Sequence, residues 1–452
     1  MIAAATESIR RVQPVKVTGM VSSMKGMALM VDDLPLPAGS LVRIGRGDGE
    51  GTVPGEVVAF TREQSVVMLL GQSLGIRTGD PVVGVQNAQS APVGERLLGR
   101  VVDGLARPID DLGEVHATMP RAISPEPISA MRRVRITRPL ATGVRSIDLM
   151  CTLGRGQRMG IFAGPGVGKS TLLGTMARRT NADVSVIALI GERGREVKDF
   201  IAHALGPEGL ARSVVIVATG DESPLMRIRA AKLACTVAEE FRERGKDVLL
   251  MMDSITRFAH AQRQIGLSVG EPPATKGYTP SVFAQLALLL ERAGTLEPLP
   301  GRKPGSITGI YTILVEGDDL TEPVSDAARG ILDGHVILSR RLAQRAHYPA
   351  VDVLDSVSRV ADDVTDAEHA GARRMISRLL ASYRDVEDLV QIGAYAKGSS
   401  PESDVAIDFN TRINELLRQA PGEAEPFDKA RARLVKLAKD AEAALARHGR
   451  TK

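Results

Sequence analysis

The run Ala163, Gly164, Pro165, Gly166, Val167, Gly168, Lys169, Ser170, Thr171 constrains the fold of this chain more than any other stretch. It follows an apolar segment of strand length and opens a helical segment carrying Leu172, Leu173 and Met176. Strand, glycine-rich loop and helix in that order make a P-loop, in which backbone amides wrap phosphate oxygens. The usual pattern begins with glycine where Ala163 stands; Gly164, Gly166 and Gly168 still supply the permissive backbone. Lys169 suits the β and γ phosphates of a nucleotide, and the Ser170 hydroxyl suits a Mg²⁺ ion. The plain alternative, a turn that merely joins strand to helix, leaves the Lys-Ser pair in this context without a reason.

The surroundings of that loop fit an α/β core. Apolar strands are expected at 158–163, 184–190, 214–218, 248–252 and 307–315, alternating with helix-length segments, as in a mostly parallel sheet covered by helices. Ser223 before Pro224 reads as an N-cap and first helical position, with Gly245 closing the same helix. Before the core, from Val15 to Val85, short β-branched runs (VKVTGMV, MALMV, LVRIG, GEVVAF, SVVMLL, DPVVGV) read as a small barrel or sandwich. Residues 87–113 read as a connecting loop. Beyond about Ser356 helical periodicity takes over, ending in a charged, alanine-rich run from Asp428 to Ala446, so a separate helical lobe is expected.

Two acidic residues stand where they could serve the phosphates. Asp253 ends the apolar strand 248–252 and could hold the water shell of a metal, although aspartate after a strand is as often a helix cap. Glu192, in Gly191-Glu192-Arg193-Gly194-Arg195-Glu196, could polarise a water in line with the γ-phosphate. It could equally pair with the neighbouring arginines on a solvated loop.

Composition narrows the class. Apolar residues make up 43% and charged residues 25%, as in a soluble globular protein, and no apolar run approaches the roughly 20 residues that cross a bilayer. The N-terminus lacks the apolar core of a secretory signal, so a cytoplasmic protein is expected. The net charge of +4 is small for 452 residues, and Phe60 is the only aromatic among the first ninety, which argues against base stacking by the N-terminal unit and against a nucleic-acid partner. Cys151 and Cys235 sit among apolar residues without partners at metal or redox spacing, and the seven histidines are scattered.

The runs TGVRSIDLMCTLGRGQRMGIFAGPGVGKS, IGERGREV and MMDSITRFAHAQRQIGLSVGEPPATKGYTPSVF resemble the ATPases of type III export systems, relatives of the catalytic β subunit of rotary ATP synthases. Two further runs, GSITGIYTILVEGDDLTEPVSDAARGILDGHVILSR and DVEDLVQIGAYAKGSSPESDVAI, look most like the flagellar branch. The resemblance implies an N-terminal β-barrel (1–90), a RecA-like P-loop ATPase domain (91–355) and a C-terminal helical lobe (356–452). It implies ATP and Mg²⁺ as ligands, with Lys169, Ser170 and Asp253 around phosphate and metal and Glu192 activating water. Arg193 and Arg257 would organise the γ-phosphate pocket, Arg359 would be an arginine finger reaching a neighbour's nucleotide, Tyr348 would stack on adenine, and Tyr395 would close the other side.

A finger in trans implies a homohexameric ring. The implied partners are the flagellar export gate, stalk and regulatory proteins and chaperone–substrate complexes, met at the inner face of the cytoplasmic membrane. The resemblance places the segment for the regulatory partner ahead of the barrel, and the short run of first residues departs from the family there, so a reduced or differently built segment is expected. A virulence injectisome ATPase is the alternative within the class; a rotary synthase subunit, a hexameric RNA translocase and a P-loop protein that only holds nucleotide are the others.

Overall fold

The computed structural model describes residues 16–449 apart from 48–50, 87–88, 117, 299–300, 302, 316–318 and 320. The N-terminal segment assigned to a regulatory partner, residues 1–15, lies outside the described residues.

Six strands come first: β1 (Thr18–Lys25), β2 (Ala28–Asp32), β3 (Leu41–Gly45), β4 (Thr52–Phe60), β5 (Gln64–Leu69) and β6 (Pro81–Gln86). They close into a barrel in the order β1-β2-β5-β4-β3-β6, which resolves the choice between barrel and sandwich. Alternation along the strands explains both faces of the wall. Leu29, Val31, Val67 and Leu69 point into the barrel core, while Ala28, Met30, Val66 and Met68 join the core of the nucleotide domain. The outer face of β2 and β5 is thus the docking face of the barrel.

The central sheet holds β7 (Val101–Asp103), β8 (Arg158–Ala163), β9 (Val184–Ile190), β10 (Ser213–Ala218), β11 (Asp247–Asp253), β12 (Ser306–Leu314), β13 (Gly334–Leu338) and β14 (Val351–Ser358). Their order is β14-β13-β8-β12-β11-β9-β10-β7, all parallel except the edge pair β13–β14. All five strands expected from the sequence are present at nearly those bounds. The additions are β13, β14 and β7; β7 falls inside the stretch read as a loop, where three residues between Arg100 and Gly104 are too short to show periodicity, yet Val101–Asp103 pairs with β10. The other end differs too, because β14 continues through the expected boundary at residue 355 to Ser358, and the first lobe helix begins at Ala367.

Both faces of the sheet are covered, which is why its strands read as unbroken apolar runs. Val184, Val186, Ala188 and Ile190 lie in one core layer and Ile187 and Leu189 in the other. Helices α1 (Arg145–Met150) and α2 (Lys169–Arg179) lie beside the second layer; α3 (Pro224–Glu243), α4 (Ile255–Ser268) and α5 (Pro280–Leu290) cover the first. Ser223 caps α3 as expected, accepting from the Met226 amide at 3.2 Å. The lobe consists of α6 (Ala367–Gln391), α7 (Pro401–Leu417) and α8 (Phe427–Gly449), and its core takes in Leu149, Met150 and Cys151 at the end of α1. Both cysteines are free and buried, and burial pushes their thiols up to about 12 and about 11. No helix among the described residues is long and apolar enough to cross a membrane.

One buried ion pair holds three segments of the nucleotide domain together. Arg292, just after α5, meets the Glu239 carboxylate on α3 with Nε–Oε1 2.8 Å and Nη2–Oε2 2.7 Å, and Nη1 donates to the Ile123 carbonyl at 2.8 Å. Removing one partner leaves the other buried without its direct counter-charge. We therefore expect Arg292→Met to cost about 3–5 kcal/mol in urea denaturation, and Arg292→Met with Glu239→Met to recover most of it.

Candidate active site

The P-loop leaves β8 at Ala163 and turns into α2 at Lys169. Gly166 and Gly168 hold φ of +77° and +90°, the left-handed region that side chains avoid, so the loop bends there at no steric cost. The helices α3, α4, α6 and α7 are capped by Ser223, Ser254, Asp366 and Ser400 side chains. The helices α1, α5 and α2 have no side-chain cap, and of these α2, which follows Gly168 of the P-loop, is the one that starts at a glycine. Its first amides are left open to an anion, which a phosphate would satisfy. Gly164 and Val167 are buried, whereas Pro165, Gly166, Ser170 and Thr171 are exposed along the rim.

Three strand ends converge beside that helix start. Lys169 Nζ lies 2.5 Å from Asp253 Oδ1, at the end of β11, and 3.5 Å from Glu192 Oε1, two residues beyond β9. Asp253 Oδ1 also accepts from Thr312 Oγ1 of β12 at 2.7 Å. Burial pulls the Lys169 ammonium down, but Asp253 and Glu192 outweigh it and hold the group above the usual lysine value. Burial raises the Glu192 carboxyl; Lys169 pulls it back and Asp253 pushes it up again, leaving it at about 7. A carboxyl balanced there can take or give a proton near neutrality.

The backbone around Glu192 is fixed from the neighbouring strand. The Gly191 amide donates to the Ala218 carbonyl at 2.6 Å, and the Gly220 amide to the Glu192 carbonyl at 3.1 Å. Gly191, at φ +73°, leaves no room for a side chain, since a Cβ would sit 2.8 Å from that of Arg257. Arg257 therefore packs against the residue before Glu192, and its Nε is buried with no hydrogen-bond partner among the described residues. Arg193 points away: its side chain is 83% exposed and meets Glu196 at 3.4 Å. Arg359 is exposed just past β14, its amide donating to the Asp333 carbonyl at 3.0 Å.

A second part of the site is an apolar cleft of about 350 Å³ beside the loop. Gly168, Thr171, Thr175, Tyr348 and Pro349 line it, and the Tyr348 ring packs 3.6 Å from where a Gly168 Cβ would stand. From the lobe, the wall is completed by Gln419, Ala420 and Pro421. Tyr395, expected to close this side, is not part of the wall; its hydroxyl donates to Asp404 Oδ1 at 3.0 Å within the lobe. The sequence reading missed the 419–421 wall and Thr312. Neither carries a motif, and both are brought in by chain distant from the P-loop.

Comparison with known proteins agrees with this geometry. Residues 143–358 match the model of the ATP synthase alpha/beta family, nucleotide-binding domain, and residues 365–436 match the T3SS EscN ATPase C-terminal domain. A flagellum-specific ATP synthase of Treponema pallidum is 50% identical over 421 residues, 93% of each chain. A type 3 secretion system ATPase of Xanthomonas euvesicatoria is 46% identical over 94% of each chain. The assembled ATPase EscN of enteropathogenic E. coli superposes with TM-score 0.86 at 40% identity, covering 93% of this chain and 100% of that one. EscN in complex with its central stalk EscO gives TM-score 0.84 at 39% identity, with the same coverage. Identity sustained over nearly the whole length, with a P-loop site of this form, makes the chain a member of the ATP synthase α/β family, in its branch of flagellum-specific and type III secretion ATPases that hydrolyse ATP.

Proposed function

We propose that this chain works as a ring of identical subunits whose ATP hydrolysis drives chaperone release and protein export by a flagellar type III apparatus. The observation that carries the flagellar reading is the 50% identity, over 93% of both chains, with a flagellum-specific relative. The ring draws support from the assembled state of EscN, and a stalk partner from the EscN–EscO complex. Contacts with an export gate, a regulatory protein and the inner face of the membrane extend the same reading.

In this reading the γ-phosphate end of ATP lies at Lys169 and the base lies in the cleft beside Tyr348. Lys169 exchanges its contact with Asp253 for phosphate oxygens, and the freed carboxylate is then available to a cation. The donors fit Mg²⁺: Ser170 and Asp253 offer hard oxygens, and no cluster of three His, Cys, Asp or Glu able to cage a metal exists among the described residues. Such a set suits an ion held mainly by phosphate oxygens and water, and when bound it would neutralise charge developing on the phosphates. Glu192 accepts the proton of the attacking water, which its raised carboxyl favours. Arg257, packed against Gly191 and acting on the Glu192 carboxylate, supplies positive charge beside the phosphate pocket, and Arg193 and Arg359 supply charge at the exposed rim, Arg359 to the next subunit.

Three outcomes are expected. Glu192→Gln should bind ATP as the wild type does but lose at least about a hundredfold in kcat. In a deletion strain it should fail to restore secretion of hook and filament proteins; a strain whose motility never needed the gene would point to an injectisome instead. For the wild type, kcat/KM should fall about tenfold per pH unit below pH ~7, because protonation disables the base. An acid limb near 4.5 would remove the raised carboxyl from the mechanism. Arg359→Ala should lower kcat by about a thousandfold in assembled samples while leaving nucleotide affinity of dilute monomer unchanged. Full assembled activity in that variant would exclude a finger.

A further inference from the structure

Of the residues that line the base cleft, those at 419–421 alone come from beyond residue 350, and they belong to a short segment that leads from α7 to α8. That segment is fastened chiefly by one buried side chain. Arg145, 4% exposed at the start of α1, donates from Nε to the Leu416 carbonyl at 2.7 Å and from Nη2 to the Arg418 carbonyl. Its Nη1 meets Glu423 Oε1 at 2.5 Å and Glu425 Oε2 at 2.9 Å, and its own amide donates to Gln419 Oε1 at 2.8 Å. Two carbonyls and two carboxylates in different directions call for a planar fork, which lysine does not have.

The other ties of the segment go to elements that line or flank the same cleft. The Gln419 amide nitrogen donates to the Tyr348 carbonyl at 2.9 Å, and its Nε2 to the Gly143 carbonyl at 3.0 Å. Arg179, at the end of α2, donates to the Pro421 carbonyl at 2.9 Å. Docking of the lobe does not need these contacts, since Leu149, Met150 and Cys151 already anchor it through apolar burial. The polar ties instead converge on the stretch that forms the wall.

We propose that Arg145 is a positioning residue for nucleotide binding, holding the 416–425 segment so that Gln419, Ala420 and Pro421 stand as a fixed wall against the nucleoside base. The proposal rests on the reading of the Tyr348 cleft as the base site. The partners of Arg145 are in the wall segment and do not include Lys169 or Glu192, so its effect belongs in substrate affinity rather than in the chemical step.

The test is steady-state ATP hydrolysis by the full chain, together with competitive inhibition by inorganic tripolyphosphate, which has the phosphates without a base. Arg145→Ala should raise KM for ATP about tenfold, lower kcat by less than about twofold, and leave tripolyphosphate inhibition as in the wild type. Arg145→Lys should restore only part of the ATP affinity. Equal loss of ATP and tripolyphosphate affinity would overturn the proposal, showing that Arg145 merely supports the P-loop domain; so would an unchanged KM. If Arg145→Ala does not fold, Gln419→Ala carries the same expectation of a raised KM with unaltered tripolyphosphate inhibition. Tyr348→Ala separates the two readings: an unchanged KM there sinks the base site and the proposal with it, whereas a raised KM with an inert Arg145→Ala sinks the proposal alone.

Discussion

One ammonium shared between two carboxylates is the interaction on which the rest of this structure turns. Lys169, Asp253 and Glu192 come from three different strand ends, and the sheet order β8-β12-β11-β9 puts β12 between the loop that carries the lysine and the strand that carries Asp253. Two strand spacings, about 10 Å, separate β8 from β11. Lysine spans the gap with its four-carbon stem, and Thr312 on the intervening strand steadies the carboxylate it reaches. Without the lysine, the buried Asp253 and the partly buried Glu192 carboxylates would face one another with Arg257 left to offset their repulsion. Parallel register is what makes the arrangement possible, because it brings the carboxyl ends of all these strands to one edge of the sheet.

Sequence reasoning reaches the parts of this design that are local. A buried parallel strand announces itself as an apolar run, and the glycines and Lys-Ser pair of the P-loop follow one directly, so β8, β9, β11 and the loop are legible in the residues themselves. The same is true of Glu192 and Asp253, which sit at strand ends. What the residues do not show is decided at a distance. Barrel closure depends on β1 pairing with β6, across some sixty residues, and nothing in either strand distinguishes that from a sandwich. Thr312 is one of several threonines and serines on its strand. The wall at 419–421 is a Gln-Ala-Pro stretch about 250 residues from the loop it faces, without charge or aromatic character to mark it.

The arginines divide in an instructive way. Those at 145, 158 and 292 are sunk into the chain and satisfied by carboxylates and carbonyls, as burial of a charge demands. Arg193 and Arg359 stand exposed, and the Arg193–Glu196 contact at the surface adds little to stability. Arg257 lies between these cases, half-buried with one nitrogen unsatisfied. An exposed arginine has no physical signature of function in a single chain, which is why only the family resemblance singled out Arg359.

The three cores of the molecule meet in two different ways, and the contrast bears on how the cleft works. The barrel shares an apolar layer with the nucleotide domain through β2 and β5, and the lobe takes the end of α1 into its own core. Apolar burial of this kind sets where the units sit and yields only when surface is exposed to water. The segment at 416–425 is held instead by hydrogen bonds and ion pairs around Arg145, Gln419 and Arg179, several of them at the surface. The exposed contacts of that type exchange with water at small net cost, whereas those of the buried Arg145 do not. At the centre of the strap the buried Arg145 charge must keep its partners, so the wall at 419–421 is held in place against the P-loop side of the cleft by polar contacts, while apolar burial places the lobe as a whole.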